Sequence, residues 1–479
     1  MPADLLIFGQ ATRPDCAIWI IALEPTVNQW RALPLFHAGF SVSHDFFALL
    51  PKIHRPILYE PLDAEQLRVG VDMQRRIFLA GLGTTGLVAS IASPAVVRAA
   101  GGKALKFGVL TDMTGAFADS SGKGSVIAAQ LAIEECGGQV LGRPIHLISA
   151  DHQSKPDIGG NIAREWYAER DVDVILDVPG SSICMAVQNV ARHRNKMFIT
   201  SSGGAADLSG RLCSPNFIQW TYTTYALANV AAKAMLRRGG DSWFFIVTDY
   251  AFGRALERDV TGVIEKGGGK SLGRALCPSN TMDFSSHLLS AKASGAKVIA
   301  LANAGNDTQN SIKQAEEFGL LNGDQKMIAL LIDVNDVVSV GLERAHGLLA
   351  TIGFYWNMDE RTREFSKRYS ARMGRPPSMM QAGVYSSALS YIRSVQSANT
   401  NDPAAVVKNL QSKTFDDAFS RNGRLRADNL MVHDMYLAEA KKPHEINDPA
   451  DVFRILATVP GNEAFPPIAS SDCPMVAHR

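Results

Sequence analysis

From Leu105 onward the chain alternates short apolar, β-rich runs with amphipathic stretches of helical period, and no other feature restricts the fold as much. Strands separated by helices form parallel sheets with the helices packed on their faces. Strands are expected at Leu105–Leu110, Ile145–Ala150, Val172–Asp177 and Lys196–Thr200, with helices starting near Gly124, Pro156 and Ser182. A second series has strands Trp243–Thr248, Ser271–Leu276, Lys297–Ala302 and Met327–Leu331, with helices near Gly253–Lys266, Phe284–Ser294 and Asp307–Phe318. A further strand, Leu348–Gly353, precedes helices Glu360–Met373, Met379–Ala398 and Pro403–Gln411. No low-complexity linker divides the series. The expected fold class is therefore α/β, two doubly wound lobes whose chain passes between them more than once. In open α/β sheets ligands bind beyond the C-terminal ends of the strands, so two facing lobes would enclose a site.

Ahead of this region lies a segment with the layout of an export signal. Arg75-Arg76 opens it, an apolar run from Ile77 to Ile91 follows, and small residues around Ala99 and Ala100 offer a cleavage site. Glycines and threonines from Gly81 to Gly86 dilute the run, which falls short of the roughly 20 residues of a spanning helix. Arg75-Arg76-Ile77-Phe78-Leu79 resembles the twin-arginine signal, and a basic start with an apolar run also suits the general secretory route. Residues 73–100 are expected to export the remainder, which then works outside the cytoplasm. Because such signals normally stand at an N-terminus, residues 1–72 are expected to be a leader absent from the native protein, with translation starting at Met73. Their aromatic residues lie among prolines with no sustained helical or strand period. Gly81-Leu82-Gly83-Thr84-Thr85-Gly86 also fits the dinucleotide fingerprint. That motif needs an acidic residue about 20 positions on, and no Asp or Glu stands between Gly86 and Lys106.

The chain holds 48 Lys and Arg against 47 Asp and Glu, so charge gives no footing for nucleic acid or an anionic membrane. With 46% hydrophobic residues, the part after Ala100 is long enough for two lobes with their own cores. The cysteines, Cys16, Cys136, Cys184, Cys213, Cys277 and Cys473, form no C-x-x-C pair, and the histidines form no cluster at metal-ligand spacing. Neither a metal nor a cofactor is expected. Gly269-Lys270-Ser271 ends like a phosphate loop, but Ile264 stands where its first glycine is needed. There is no G-x-S-x-G nucleophile elbow. With these motifs missing, the chain is expected not to be an enzyme.

The loops after the strands carry the candidate chemistry. The first strand leads into Thr111-Asp112-Met113-Thr114-Gly115-Ala116-Phe117-Ala118-Asp119-Ser120-Ser121-Gly122-Lys123-Gly124, the third into Pro179-Gly180-Ser181-Ser182 and the fourth into Thr200-Ser201-Ser202-Gly203-Gly204. Hydroxyls and free N–H groups at neighbouring strand ends suit a carboxylate, with helix capping as the competing use of the serines. In the second lobe, Thr248-Asp249-Tyr250-Ala251-Phe252-Gly253 and Ala302-Asn303-Ala304-Gly305-Asn306-Asp307 each enter a helix. Aromatic rings in such loops fit the apolar wall of a pocket.

This ordered set, with Gly383-Val384-Tyr385 late in the chain, resembles the branched-chain amino-acid type of periplasmic substrate-binding protein of ABC transporters, from Lys106 to Met475. The resemblance implies two lobes joined by three crossover segments, residues 104–221 with 352–430 and residues 222–351 with 431–470. It implies a periplasmic monomer that closes on a small-molecule carboxylate or amino acid and presents the closed form to an inner-membrane permease. By the same resemblance Ser181 matches a serine that holds the ligand carboxylate. Ser202 with Gly203 and Gly204 matches a loop that binds carboxylate and ammonium, and Phe252 falls where relatives often have a tyrosine. Leucine-type members hold the ammonium on a Glu after the fourth strand of the second lobe. This chain has Leu330-Leu331-Ile332-Asp333-Val334 there, which leaves Asp333, or else Asp119, as the counter-charge.

The expected ligand is a small carboxylate with an apolar or aromatic body. Ser181, Ser182, Ser201, Ser202, Gly203 and Gly204 would hold it on one side, and Phe117, Tyr250, Phe252 and Trp356 on the other, with Asn303 nearby. Aromatic or aliphatic acids and amides are the alternative to amino acids; a sensory ligand-binding domain would share the fold. An exported protein meets an oxidising compartment. A Cys213–Cys473 bridge would pin the C-terminal tail, against the alternative of buried free thiols.

Overall fold

The computed structural model describes residues 103–321 and 323–476 and, before them, the strands Leu5–Phe8, Trp19–Glu24 and Gln29–Pro34. The chain separates into two compact units, Met1–Pro94 and Ala95–Arg479. In the first unit the three strands form an antiparallel sheet in chain order, with Leu5 opposite Ala22 and Trp19 opposite Pro34. This sheet corrects the expectation that residues 1–72 hold no strand pattern. Leu5-Leu6-Ile7-Phe8 and Trp19-Ile20-Ile21-Ala22-Leu23 are unbroken apolar runs, which an alternating template passes over. The export segment expected at 73–100 lies outside the described residues.

In the larger unit a six-stranded sheet runs in the spatial order Gln139–Val140, Arg143–Asp151, Leu105–Thr111, Val174–Asp177, Met197–Thr200, Phe217–Gln219. All pairs are parallel except the short first one. Numbered along the chain, the five parallel strands lie in the order 2-1-3-4-5, which places a topological switch point between Leu105–Thr111 and Val174–Asp177. Val174–Asp177 and Met197–Thr200 are buried throughout, so the sequence writes them as continuous apolar runs. Helices Pro156–Ala168 and Ser181–Arg194 lie side by side, and Gly122–Glu135 packs against Met379–Ala398. Tyr391 of that late helix meets Phe107 edge-on with ring centroids 5.4 Å apart. The helix is thereby tied to the first strand.

A second, four-stranded parallel sheet runs Lys270–Cys277, Ser242–Thr248, Val298–Ala302, Lys326–Ala329. Its 2-1-3-4 order puts its own switch point between Ser242–Thr248 and Val298–Ala302. Leu349–Ile352 pairs antiparallel with Met435–Ala440, which pairs in turn with Phe453–Val459. Leu349–Ile352 and Met435–Ala440 pack on helix Thr224–Arg237 of the second lobe, whereas Glu360–Met373 and Met379–Ala398 return to the first. The chain thus crosses between lobes three times, after Phe217–Gln219, after Leu349–Ile352 and before Met435–Ala440. Cys213 and Cys473 are joined in a disulfide with Cα atoms 5.6 Å apart, which fixes the tail to the loop ahead of Phe217–Gln219. Cys136, Cys184 and Cys277 are free thiols. Among the described residues no helix is long and apolar enough to cross a membrane.

Candidate ligand-binding site

Both switch points open on one cavity. The first lobe supplies Phe117, Ser120 and Ser121 after its first strand, Pro179, Gly180 and Ser181 after its third, and Ser202 after its fourth. The second supplies Tyr250 and Phe252 after its first strand, Ala304 and Gly305 after its third, and Leu331 and Asp336 after its fourth. Tyr222, just beyond the first crossover, and Met380 complete the wall. The enclosed volume is small, ≈ 20 Å³, about the room of one water molecule. Around it the lobes touch: the Asn306 N–H donates to the Ala116 carbonyl at 3.3 Å, and the Asn335 amide to the Asp119 carbonyl at 3.1 Å. Gly305 has φ +58°, and a Cβ there would lie 2.3 Å from the Ala116 oxygen. Glycine at this position is what lets the second-lobe loop close on the first, since no other residue tolerates both the backbone and the approach.

The polar wall is built on strand ends. Helix Ser181–Arg194 opens without a side-chain cap; the Ile183 N–H turns back to the Gly180 carbonyl at 3.0 Å, and the Ser181 and Ser182 N–H groups are left for an anion. Ser181 Oγ accepts the Ala205 N–H at 3.0 Å, which leaves the hydroxyl proton for a ligand acceptor. Ser202 is held differently. Its hydroxyl donates to Asp177 Oδ1 at 2.5 Å and lies 2.9 Å from the Ser121 hydroxyl, while Thr111 donates to Asp177 Oδ2 at 2.7 Å. Asp177 is wholly buried, and burial pushes its carboxyl up to about 6 despite these hydrogen bonds. A hydroxyl has one proton. When Asp177 is ionised, Ser202 points that proton inward and offers the cavity a lone pair; when Asp177 carries its proton on Oδ1, Ser202 accepts from it and its own proton is free to donate outward.

The facing wall is aromatic. Tyr250 and Phe252 have ring centroids 6.0 Å apart, and buried Tyr222 donates to the Ser202 carbonyl at 3.0 Å. Asp336 is the acidic group of this wall. Its Oδ1 accepts the Gln309 amide at 2.8 Å and its Oδ2 the Asp333 N–H at 2.9 Å. Burial raises its carboxyl to about 6.

Of the residues singled out from sequence, Phe117, Ser181, Ser202, Tyr250 and Phe252 meet at this cavity. Ser182 faces a neighbouring cavity that shares Phe117, Gly180 and Tyr250. The others are placed elsewhere. Asp333 is a helix N-cap whose oxygens accept the Val334 N–H at 2.6 Å and the Met379 N–H at 2.9 Å, a capping box closed by Asp336. Asp119 pairs with Arg375 at 2.9 Å on the surface. Asn303 is buried against Ser311 and Thr308, and Trp356 donates to the Ala450 carbonyl at 2.9 Å. Ser201 is buried off the cavity. Gly203 backs onto Cys184, and a Cβ on Gly204 would sit 2.4 Å from the Tyr222 ring, so Gly204 shapes the aromatic wall without lining the cavity. Sequence reasoning missed Tyr222, Met380 and Asp336. The D-x-x-D spacing of Asp333 and Asp336 was the available signal for the last.

Asp112, Asp151 and His152 bring ligand-type atoms within 4.8 Å of one another, but those atoms brace the first loop. Asp112 accepts from Gly115, Phe117 and Ser154, and Asp151 from Met113, Gln153 and Thr114. His152 Nδ1 accepts the Ser154 N–H at 3.1 Å, and burial lowers the imidazole to about 4.

Residues 104–445 match the family model described as periplasmic binding protein. A periplasmic binding protein from Burkholderia mallei is 40% identical, with 78% of this chain and 99% of that one covered and a TM-score of 0.76. A branched chain amino acid ABC transporter periplasmic ligand-binding protein from Burkholderia xenovorans LB400 is also 40% identical, with the same coverage and a TM-score of 0.71. A solute binding protein of an ABC transporter from Rhodopseudomonas palustris BisB5, in complex with 3,4-dihydroxy benzoic acid, shares the fold at 20% identity, 75% and 98% coverage and a TM-score of 0.69. The two-lobed fold, the cavity at both switch points and these matches agree: the chain belongs to the periplasmic binding protein family, in its branched-chain amino-acid type.

Proposed function

We propose that this protein captures a small carboxylate with an apolar or aromatic body, an apolar amino acid foremost, and delivers it as a monomer to the permease of an ABC importer in the inner membrane. The observation that carries the reading is the opposition of two walls across one cavity. Ser181, Ser202 and an uncapped helix N-terminus stand on one lobe, and Tyr250 and Phe252 on the other. Hydrogen bonds to the charged carboxylate are worth about 1.5–3 kcal/mol each, and the rings bury the ligand body at roughly 25 cal/mol per Å². Neither wall suffices alone, so ligand and closure are coupled. Export through the segment at 73–100 would place the lobes in the periplasm, where the family works.

The xenovorans relative's description favours an amino acid, and the palustris complex favours an aromatic acid as the second reading. Calorimetric titration with leucine, phenylalanine, 4-methylpentanoate, 3-phenylpropanoate and glucose tests the proposal. Binding of one or more of the carboxylates is expected. Binding of glucose with no carboxylate affinity would overturn it.

A further inference from the structure

We propose that a second cavity beside the first receives a hydrogen-bond-donating group of the ligand, an ammonium or a hydroxyl, on the carboxylate of Asp307. This rests on the carboxylate pocket proposed above. The second cavity, ≈ 160 Å³, is walled by Phe117, Gly180 and Tyr250, which also wall the central cavity, and by Ser154, Ser182 and Asp307. With three wall residues in common, the two cavities adjoin.

Asp307 is the second residue of helix Asn306–Glu317 and is 4% exposed. Its Oδ2 accepts the Thr248 hydroxyl at 3.2 Å and the Asn280 N–H at 3.3 Å, both long for such bonds. Its Oδ1 is buried with no hydrogen-bond partner among the described residues. A buried carboxylate oxygen without a donor is costly, and a ligand N–H or O–H placed there supplies the missing bond. The other acidic groups near the ligand have their oxygens engaged. Asp336 accepts from Gln309 and Asp333, Asp333 from Val334 and Met379, and Asp112 from Gly115, Phe117 and Ser154. Among the described residues lining the two cavities, Asp307 is the carboxylate with an oxygen to spare.

The chemistry of the ligand follows from the pair of sites. Its carboxylate belongs at Ser181, away from Asp307, because two anions side by side repel. Its donor group belongs at Oδ1. A purely apolar acid satisfies the first site and leaves the second unpaired, so the protein should select donor-bearing acids over otherwise identical acids that lack the donor.

The test is calorimetric titration of the wild-type protein and of Asp307→Asn and Asp307→Ser with two matched pairs, leucine against 4-methylpentanoate and 4-hydroxybenzoate against benzoate. In whichever pair binds, the wild type should prefer the donor-bearing member about tenfold or more, and the variants should bring the two members within about threefold. The pair that binds tells ammonium from hydroxyl. A wild type that binds the donor-less member equally well overturns the inference with no variant needed, as does a preference that survives in both variants. If none of the four acids binds, the carboxylate pocket itself fails, and the Asp307 site with it; that outcome is distinct from binding without preference.

Discussion

Replacing Asp177 by Asn tests the polar wall through its most buried charge. Asp177 has no exposed surface, and burial lifts its carboxyl from the ordinary 3.8 to about 6. A shift of about two units at ~1.36 kcal/mol per unit is about 3 kcal/mol. The folded-state pKa is raised, so folding takes up a proton between the two values. The contribution to stability is fully present below about 3.8 and is lost as the pH rises through about 6. Asp307, Asp333 and Asp336 are raised in the same direction, to about 6, 7 and 6. They act in both proteins and largely cancel in the difference. The substituted amide keeps the shape of the carboxyl and cannot ionise. Urea denaturation at pH 4, 5, 6 and 7.5 should therefore show the wild type losing about 2.5 kcal/mol of stability relative to Asp177→Asn across that range. Parallel profiles for the two proteins would refute the argument that Asp177 pays for burial as an anion.

Three further outcomes are expected. Ser202→Ala should weaken carboxylate binding about tenfold at pH 5, where protonated Asp177 frees the hydroxyl to donate outward, and less at pH 8; equal losses by calorimetry would detach Ser202 from Asp177. Cys213→Ser with Cys473→Ser opens a bridge spanning 260 residues, and should cost about 2–4 kcal/mol in denaturation under non-reducing conditions; unchanged stability would show that the denatured chain is not restrained by it. Arg75→Lys with Arg76→Lys should hold the precursor in the cytoplasm, read by fractionation, and normal export would point to the secretory route.

The α/β alternation was legible because the central strands are buried on both faces. Glu360–Met373, Met379–Ala398 and Pro403–Gln411 occur with the expected bounds, each opened by an Asp or Ser cap with a hydrogen-bonded first turn. Phe217–Gln219 is three residues long, too short for a periodic signal. Phe453–Val459 is an edge strand with Arg454, Leu456, Ala457 and Thr458 exposed, which blurs its alternation. Loop position singled out Phe117, Ser181, Ser202, Tyr250 and Phe252. The resemblance singled out Asp333, because a carboxylate that caps a helix and one that faces a ligand look alike in sequence. Tyr222 went unnoticed because it stands just beyond a crossover, not at a parallel strand end. Asp307 was written as the start of a helix, and only the three-dimensional burial of its unpaired oxygen distinguishes it from a capping residue.

The central claim is that the cavity between the lobes holds a small carboxylate, and the most direct measurement is mass spectrometry of what the native protein releases on denaturation after purification from its own cells. The account predicts a low-mass carboxylic acid at near-stoichiometric amount, carrying an amino or hydroxyl group, and absent from a preparation of Ser181→Ala with Ser202→Ala. A neutral sugar or a polyamine released at that amount, with no carboxylic acid beside it, would contradict the account.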